Sequence, residues 1–149
     1  MTDPVVNAAQ LAFSLRLKNS SDVSENTKNA NAIGKKWRSD VYALDPDRYQ
    51  IEAMVASELD QRIDVVDQKQ GCAYEFKVSG KGACAEFYKD IVKVIIWNRK
   101  GKKKLSSLAF ITEEKHGRPF LDAPMPRAYI KHLAEVGLIV TVEYVRHDG

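Results

Sequence analysis

The chain lacks the features that mark several large classes of protein. Its 149 residues include only two cysteines, Cys72 and Cys84, too few for a disulfide-rich scaffold or, alone, for a structural zinc site. No apolar run approaches the roughly 18 residues of a membrane helix, and the first residues do not resemble a secretion signal. No glycine-rich phosphate loop, nucleophile-elbow serine or internal repeat is present. We therefore expect a cytoplasmic protein with no membrane partner.

The composition that remains is that of an ordinary globular protein with a small excess of positive charge. Apolar residues make up 44% of the chain and charged residues 29%, and the net charge is +3. These values favour a folded chain over a disordered one, and the length suits a single domain over residues 1–149. The mild positive charge permits a polyanionic partner but does not demonstrate one.

The spacing of apolar residues predicts helices and strands in a definite order. We expect, in sequence, a helix over residues 4–18, a helix over Val23–Ala43, strands over 49–59, 62–67 and 72–79, a helix over Ala83–Arg99, a strand over 107–112, a loop over 113–124, a helix over Pro126–Ala134 and a strand over 138–145. Ser21 is the candidate cap of the second helix, although the polar residues 19–32 also suit a loop. In the Ala83–Arg99 helix one face is apolar, and Lys89, Asp90, Lys93 and Arg99 are expected on the others.

This order of elements predicts an α/β protein with a mixed sheet. The first three strands are joined by short polar connections, which are typical of an antiparallel meander. The later strands are separated by helices, which favours a sheet covered by helices.

The residues with the clearest potential for chemistry lie in the second and third predicted strands. Asp64 is on one strand, and the triplet Glu75-Phe76-Lys77 is on the next. Residues i and i+2 of a strand point to the same face, so Glu75 and Lys77 project together and Phe76 points away. A hairpin would bring Asp64 beside Glu75, and paired carboxylates suit Mg²⁺. A nearby lysine can position or deprotonate a water, which completes the minimum set for metal-assisted phosphodiester hydrolysis.

The triplet pattern by itself has low specificity. The chain contains three acid-x-lysine triplets, and about two are expected by chance from its composition. Only Glu75-Phe76-Lys77 lies within an apolar strand with a strand-borne acid upstream. The alternative is that these residues form a solvated strand face with incidental ion pairs.

Asp64, Glu75 and Lys77 resemble the active-site motif of the PD-(D/E)XK, or restriction-endonuclease-like, nuclease superfamily. The resemblance covers residues of about 22–112, where the order of elements is also similar: a helix, three strands, a helix and a strand. Here the extra terminal helices and a last strand flank that core. The proline that often precedes the motif aspartate is replaced by Ile63. For the additional upstream acid of the superfamily, Glu58 is the first candidate, with Glu52 and Glu25 behind it.

The resemblance implies a magnesium-dependent nuclease, with Mn²⁺ able to substitute. Asp64, Glu75 and the backbone carbonyl of Phe76 would hold the metal, and Lys77 would assist the attacking water. The implied activity is a DNA endonuclease of restriction, defence or DNA processing that leaves 5′-phosphate ends. Double-stranded DNA is the expected partner, and cutting both strands implies a homodimer or a subunit of a larger complex.

Basic residues outside the motif are candidates for contacts with nucleic acid. They are Lys81, Arg99, Lys100, Lys102, Lys103 and Lys104. A solvated helix end explains the last five equally well. Lys35, Lys36 and Arg38 form a second cationic patch around Trp37, which we expect to anchor the core rather than to stack on a base.

Two other functions remain open at this stage. A module of the same fold could bind nucleic acid or support an assembly without cutting, because fold does not determine function. An unrelated α/β protein could also use the acid-lysine face to bind a partner protein.

Overall fold

The computed structural model describes the backbone of residues 3–17 and 23–147 and the side chains of residues 3–15 and 29–147. Its elements are, in order, α1 (Pro4–Leu17), α2 (Val23–Leu44), β1 (Tyr49–Met54), β2 (Arg62–Asp67), β3 (Cys72–Lys77), α3 (Ala83–Arg99), β4 (Ser107–Glu113), α4 (Glu114–Leu121), α5 (Pro124–Glu135) and β5 (Ile139–Val145). All five predicted strands and all four predicted helices are present. Residues 23–32 are helical, and the suggested cap at Ser21 lies outside the described residues.

The strands form one mixed sheet in the order β1-β2-β3-β4-β5. β1, β2 and β3 pair antiparallel, whereas β3, β4 and β5 pair parallel. The parallel pairs need long connections, which α3 supplies between β3 and β4, and α4 and α5 supply between β4 and β5. The predicted α/β class, meander and mixed sheet are therefore confirmed.

Helices α1 and α2 cover one face of the sheet. Trp37 on α2 is fully buried, and its indole Nε1 donates a hydrogen bond of 3.0 Å to the carbonyl of Val5 on α1. The same ring packs edge to face on Phe76 of β3, with centroids 5.4 Å apart. Trp37 is thus the predicted core anchor, and it fixes α2 over the end of β3.

Helix α3 covers the opposite face. Its buried residues Phe87, Ile91 and Val94 pack on a second apolar core that also contains Ile63 and Val66 of β2. Burial of each such large side chain contributes about 1.5–3 kcal/mol relative to exposure, so this face supplies much of the force that holds α3 to the sheet.

The β2–β3 turn is held by Asp67, whose side chain is only 1% exposed. Its carboxylate accepts hydrogen bonds of 3.0 and 2.9 Å from the guanidinium of Arg48 and further bonds from the N–H groups of Lys69 and Gln70. Burial alone would raise the pKa of Asp67, but these bonds outweigh it and hold that pKa below its usual value. The turn ends at Gly71, where φ is +65° and a Cβ would lie 2.9 Å from the carbonyl oxygen of Lys104.

The prediction of a loop over residues 113–124 is wrong, because Glu114–Leu121 is helix α4. The Glu113 side chain caps this helix by accepting a hydrogen bond of 3.0 Å from the N–H of His116. Gly117, inside the segment predicted as a loop, allows close packing, since a Cβ there would lie 2.6 Å from Thr112 Cγ2. Close packing on β4 therefore overrides the weak helix propensity of the segment.

Smaller differences concern element ends and helix lengths. β1 ends at Met54 rather than at residue 59, and α5 begins at Pro124 rather than Pro126. Among the described residues, no helix is long and apolar enough to cross a membrane.

Candidate functional site

The site begins where the backbone ladder between β2 and β3 stops. The last paired residues are Val65 and Tyr74, and continuing the register would place Asp64 opposite Glu75. There the side chains take over the hydrogen bonding: the N–H of Asp64 donates to Glu75 Oε1 at 2.8 Å, and the N–H of Phe76 donates to Asp64 Oδ2 at 3.0 Å. We call Asp64, Glu75 and these two N–H groups the carboxylate fork. The two predicted acids are thus joined through backbone groups between the strands.

A distortion in the neighbouring strand occurs at the same level of the sheet. β1 and β2 are paired at Ile51–Val65 and at Ala53–Ile63, but not at the position between, where Glu52 has φ +48°. That conformation is rare for a residue with a side chain and costs about 1–3 kcal/mol. Across it β2 changes faces, since Val65 packs against α1 and α2 whereas Ile63 packs on the α3 side. Asp64 lies at this change of face.

On the α3 side, Glu75 belongs to a buried ion cluster. Its Oε2 lies 3.2 Å from Lys93 Nζ, which is also 3.1 Å from Asp90 Oδ1 and donates to the carbonyl of Arg62 at 2.9 Å. Asp90 Oδ1 has this ion pair but no aligned hydrogen bond among the described residues. One ammonium therefore faces two buried carboxylates, with Asp64 close by.

Burial raises the pKa values of the three acids around the fork. Burial raises the pKa of Glu75 well above its usual value, and the charges of Asp64 and Asp90 add to the effect. Burial also raises the pKa of Asp64, against the hydrogen bond from Phe76 and the charge of Arg38, and raises the pKa of Asp90 despite Lys93. A further positive charge at the fork, whether proton or metal cation, is therefore electrostatically favoured.

Asp64 opens on the other side into a groove between α2 and the end of β3. We call it the α2 groove. Its volume is about 430 Å³, and its lining residues are Ala30, Asn31, Gly34, Lys35, Arg38, Asp64, Phe76, Lys77, Val78 and Ser79. Lys77, half-buried, lines the groove with Asp64, whereas Glu75 does not. Asp64 Oδ1 has no hydrogen-bond or ion-pair partner among the described residues. The prediction that Glu75 and Lys77 project together while Phe76 points away is therefore wrong, since Lys77 and Phe76 both line the α2 groove whereas Glu75 contacts Lys93 on the α3 side. Asp64 is the motif residue that belongs to both the fork and the groove.

The upstream acids lie in different places. The first candidate, Glu58, is exposed and pairs with Lys100, and its other side-chain bond is with Ser57, so it is not joined to the fork. Glu52 stands opposite Asp64 by register, and its charge contributes to the raised pKa of Asp64. The side chain of Glu25 lies outside the described residues.

The basic residues of the α3–β4 connection contact the neighbouring turns. Lys102 lies over the Trp97 ring, 4.2 Å from its centroid, and donates to the carbonyl of Met54, while Lys103 donates to the carbonyl of Gln68. Three further predicted nucleic-acid contacts are exposed: Lys81, Arg99 and Lys104. None of the contacts described for Lys100, Lys102 and Lys103 is with the fork, and the role of these basic residues in binding nucleic acid stays a prediction.

Sequence reasoning missed two members of the site. Asp90 and Lys93 were expected on the faces of their helix other than the apolar one, but Asp90 is 3% exposed and Lys93 contacts Glu75. A signal was available, because Asp90 lies three residues after Phe87 and four before Val94, within the apolar stripe. An acid at such a position needs a buried partner.

Among the described residues, no three His, Cys, Asp or Glu side chains form a group arranged to hold a metal ion. Comparison with known proteins adds no relative: no family model, no curated protein and no solved structure matches the chain. The function must therefore be argued from the fork and its surroundings.

Proposed function

We propose that the chain is a divalent-metal-dependent nuclease of the restriction-endonuclease-like type that hydrolyses phosphodiester bonds in DNA. The observation that carries the proposal is the carboxylate fork itself. Asp64 and Glu75 meet between two strands, and Asp64 opens into a groove that also contains Lys77.

The donor set of the fork suits Mg²⁺ or Mn²⁺. Carboxylate oxygens are the hard ligands that these ions prefer, and Asp64 Oδ1 is without a protein partner among the described residues. Each Glu75 oxygen keeps a second lone-pair direction beside the contact it already makes. The excess of buried acid over ammonium at the fork also favours an added cation. Asp64 and Glu75 thus offer oxygen ligands for the proposed metal, and the resemblance adds the carbonyl of Phe76 as a third ligand.

The protein residues have separate roles in the proposed reaction. When bound, the cation would polarise a phosphoryl oxygen and make a water molecule more acidic. Lys77, which lines the groove, would orient that water and accept one of its protons, and the departing O3′ would take up a proton from solvent. The water oxygen forms a bond to phosphorus as the bond to O3′ breaks, which leaves 5′-phosphate and 3′-hydroxyl ends. One fork cuts one strand, so cutting both strands of DNA needs a homodimer or a larger assembly.

Cleavage of plasmid DNA with Mg²⁺ or Mn²⁺, against an EDTA control, tests the proposal. Asp64→Asn should abolish both calorimetric metal binding and nicking, because it replaces a ligand. Lys77→Met should keep metal binding but lower the nicking rate at least about 100-fold, because only proton transfer is lost. Lys89→Met, on an exposed turn of α3, is the control and should cut like the wild type. Nicking by folded Asp64→Asn at the wild-type rate would contradict the proposal.

A second candidate is a non-cleaving nucleic-acid-binding or assembly module. One observation favours it: Lys93 already compensates Glu75 and Asp90, as expected of an ion cluster that stabilises the fold. For this function, DNA binding would fall with salt, and no metal would bind at the fork.

A further inference from the structure

We propose that the α2 groove binds the phosphate backbone of DNA beside Asp64, with Arg38 as the main phosphate-contacting residue and Lys35 as its neighbour. The inference rests on the proposed nuclease function for the identity of its ligand. The inference concerns the surface of α2, which is not part of the Asp64, Glu75 and Lys77 motif.

The shape of the groove comes from the sequence of α2. Ile33, Trp37 and Val41 form its buried stripe, and the adjacent stripe of Ala30, Gly34 and Arg38 lines the groove. Because Ala30 and Gly34 have small side chains, they leave space for the groove beside the helix. Since a Cβ at Gly34 would lie 3.4 Å from Arg38 Nη1, the guanidinium lies back along the helix over the glycine.

The charges of the groove favour an anionic ligand. It is lined by three cations, Lys35, Arg38 and Lys77, against one carboxylate, Asp64. Arg38 forms no ion pair with a carboxylate among the described residues. By contrast, the neighbouring Lys36 pairs with Asp40 at 3.0 Å and does not line the groove. The cation that points into the groove is thus available to a ligand, while the one beside it is already paired.

A phosphodiester fits the cationic and apolar lining of this groove. The planar guanidinium can donate two parallel hydrogen bonds to phosphate oxygens, which makes arginine the usual residue for such contacts. Phe76 and Val78 add apolar surface against which a sugar can pack. The volume of about 430 Å³ lies within the range of ligand sites. Because the groove contains Asp64, a strand held there passes directly by the fork.

The test measures DNA binding without catalysis. All variants carry Asp64→Asn and are measured with EDTA, so that hydrolysis is absent and one carboxylate that would repel DNA is removed. Fluorescence anisotropy then measures the binding of a short fluorescent DNA duplex at about 50 to 200 mM salt. Adding Arg38→Ala should weaken the affinity about tenfold and reduce the salt slope by about one unit. Arg38→Lys should keep the slope but recover only part of the affinity, because it keeps the charge and loses the two-pronged geometry.

Lys36→Ala in the same background is the matched control and should change the affinity less than twofold. Equal effects of Arg38→Ala and Lys36→Ala, or no DNA binding at 50 mM salt, would overturn the groove proposal. Wild-type cleavage with Mg²⁺, measured in parallel, separates the two proposals. Cleavage without a specific Arg38 effect rejects only the groove, whereas Arg38-dependent binding without cleavage supports the groove and rejects the nuclease.

Discussion

Replacement of Lys93 by methionine tests the charge balance of the fork. Lys93 Nζ lies 3.2 Å from Glu75 Oε2 and 3.1 Å from Asp90 Oδ1, and the side chains of Lys93, Glu75 and Asp90 are only 12%, 6% and 4% exposed. Methionine keeps most of the aliphatic stem but removes the ammonium. The variant therefore leaves two buried carboxylates without their cation.

The size of the effect should depend on pH. Breaking a buried ion pair from one side costs about 3–5 kcal/mol, but a carboxyl that binds a proton avoids much of this cost. The pKa values of Glu75 and Asp90 are already raised by burial, so the native protein holds protons that the unfolded chain releases. Stability therefore falls as pH rises from the usual carboxyl range through these raised values. Loss of the ammonium raises both pKa values further and steepens the fall.

We expect Lys93→Met to lower the free energy of unfolding by about 1 kcal/mol at pH 5 and about 3 kcal/mol at pH 8. Urea denaturation followed by circular dichroism measures both values. Lys89→Met, one turn earlier with only an exposed contact of 3.8 Å to Glu86, is the control and should stay within about 0.5 kcal/mol at either pH. Adding Glu75→Gln to Lys93→Met should recover stability at pH 8. If Lys93→Met loses no more stability than Lys89→Met at pH 8, or if its loss of stability does not depend on pH, the proposed charge balance is refuted.

Three further predictions concern other parts of the fold. Asp67→Asn should lower the free energy of unfolding by about 3 kcal/mol in urea denaturation at pH 7, because it breaks the ion pair of the buried Asp67 with the half-buried Arg48. Since the native pKa of Asp67 is lowered, this difference from the wild type should shrink as pH falls through that pKa, and a constant difference would contradict the prediction. Gly80→Ala should lower the free energy of unfolding by about 1–3 kcal/mol, because its Cβ would lie 2.4 Å from the N–H nitrogen of Gly117; an unchanged denaturation midpoint would exclude this close packing. Glu58→Gln should leave metal binding, measured by calorimetry, unchanged, and weaker binding would restore Glu58 as the upstream acid.

The hairpin that joins the two acids was predictable because its determinants are local in sequence. The apolar runs of β2 and β3 and the short turn ending at Gly71 leave one register that buries both strands, and that register sets Asp64 opposite Glu75. The helix order and the mixed sheet follow from periodicity in the same way. For these elements, local pattern and tertiary packing favour the same structure.

The features that sequence reasoning missed depend on contacts between distant segments. The change of face at Asp64 accompanies the left-handed backbone of Glu52, which no local pattern in β1 indicates. Asp90 is buried because Lys93 bridges it to Glu75 on another element. Helix α4 forms despite Gly117 and Pro119 because β4 packs closely against it. In each case a contact between distant segments compensates for a residue that is unfavourable in its local structure.

The two candidate functions differ in what balances the charge of the fork. If Lys93 and bound protons were sufficient, the cluster would only stabilise the fold, and Asp64 would not need to line a cationic groove with its Oδ1 unpartnered among the described residues. The ammonium is on the α3 side of the fork, however, where it touches Glu75 and Asp90 but has no ion pair with Asp64 among the described residues. Burial raises the pKa of Asp64, although the charges of Arg38 and Lys93 act against it. The proposed nuclease would use that asymmetry by binding a cation between Asp64 and Glu75, whereas the passive module needs no cation there.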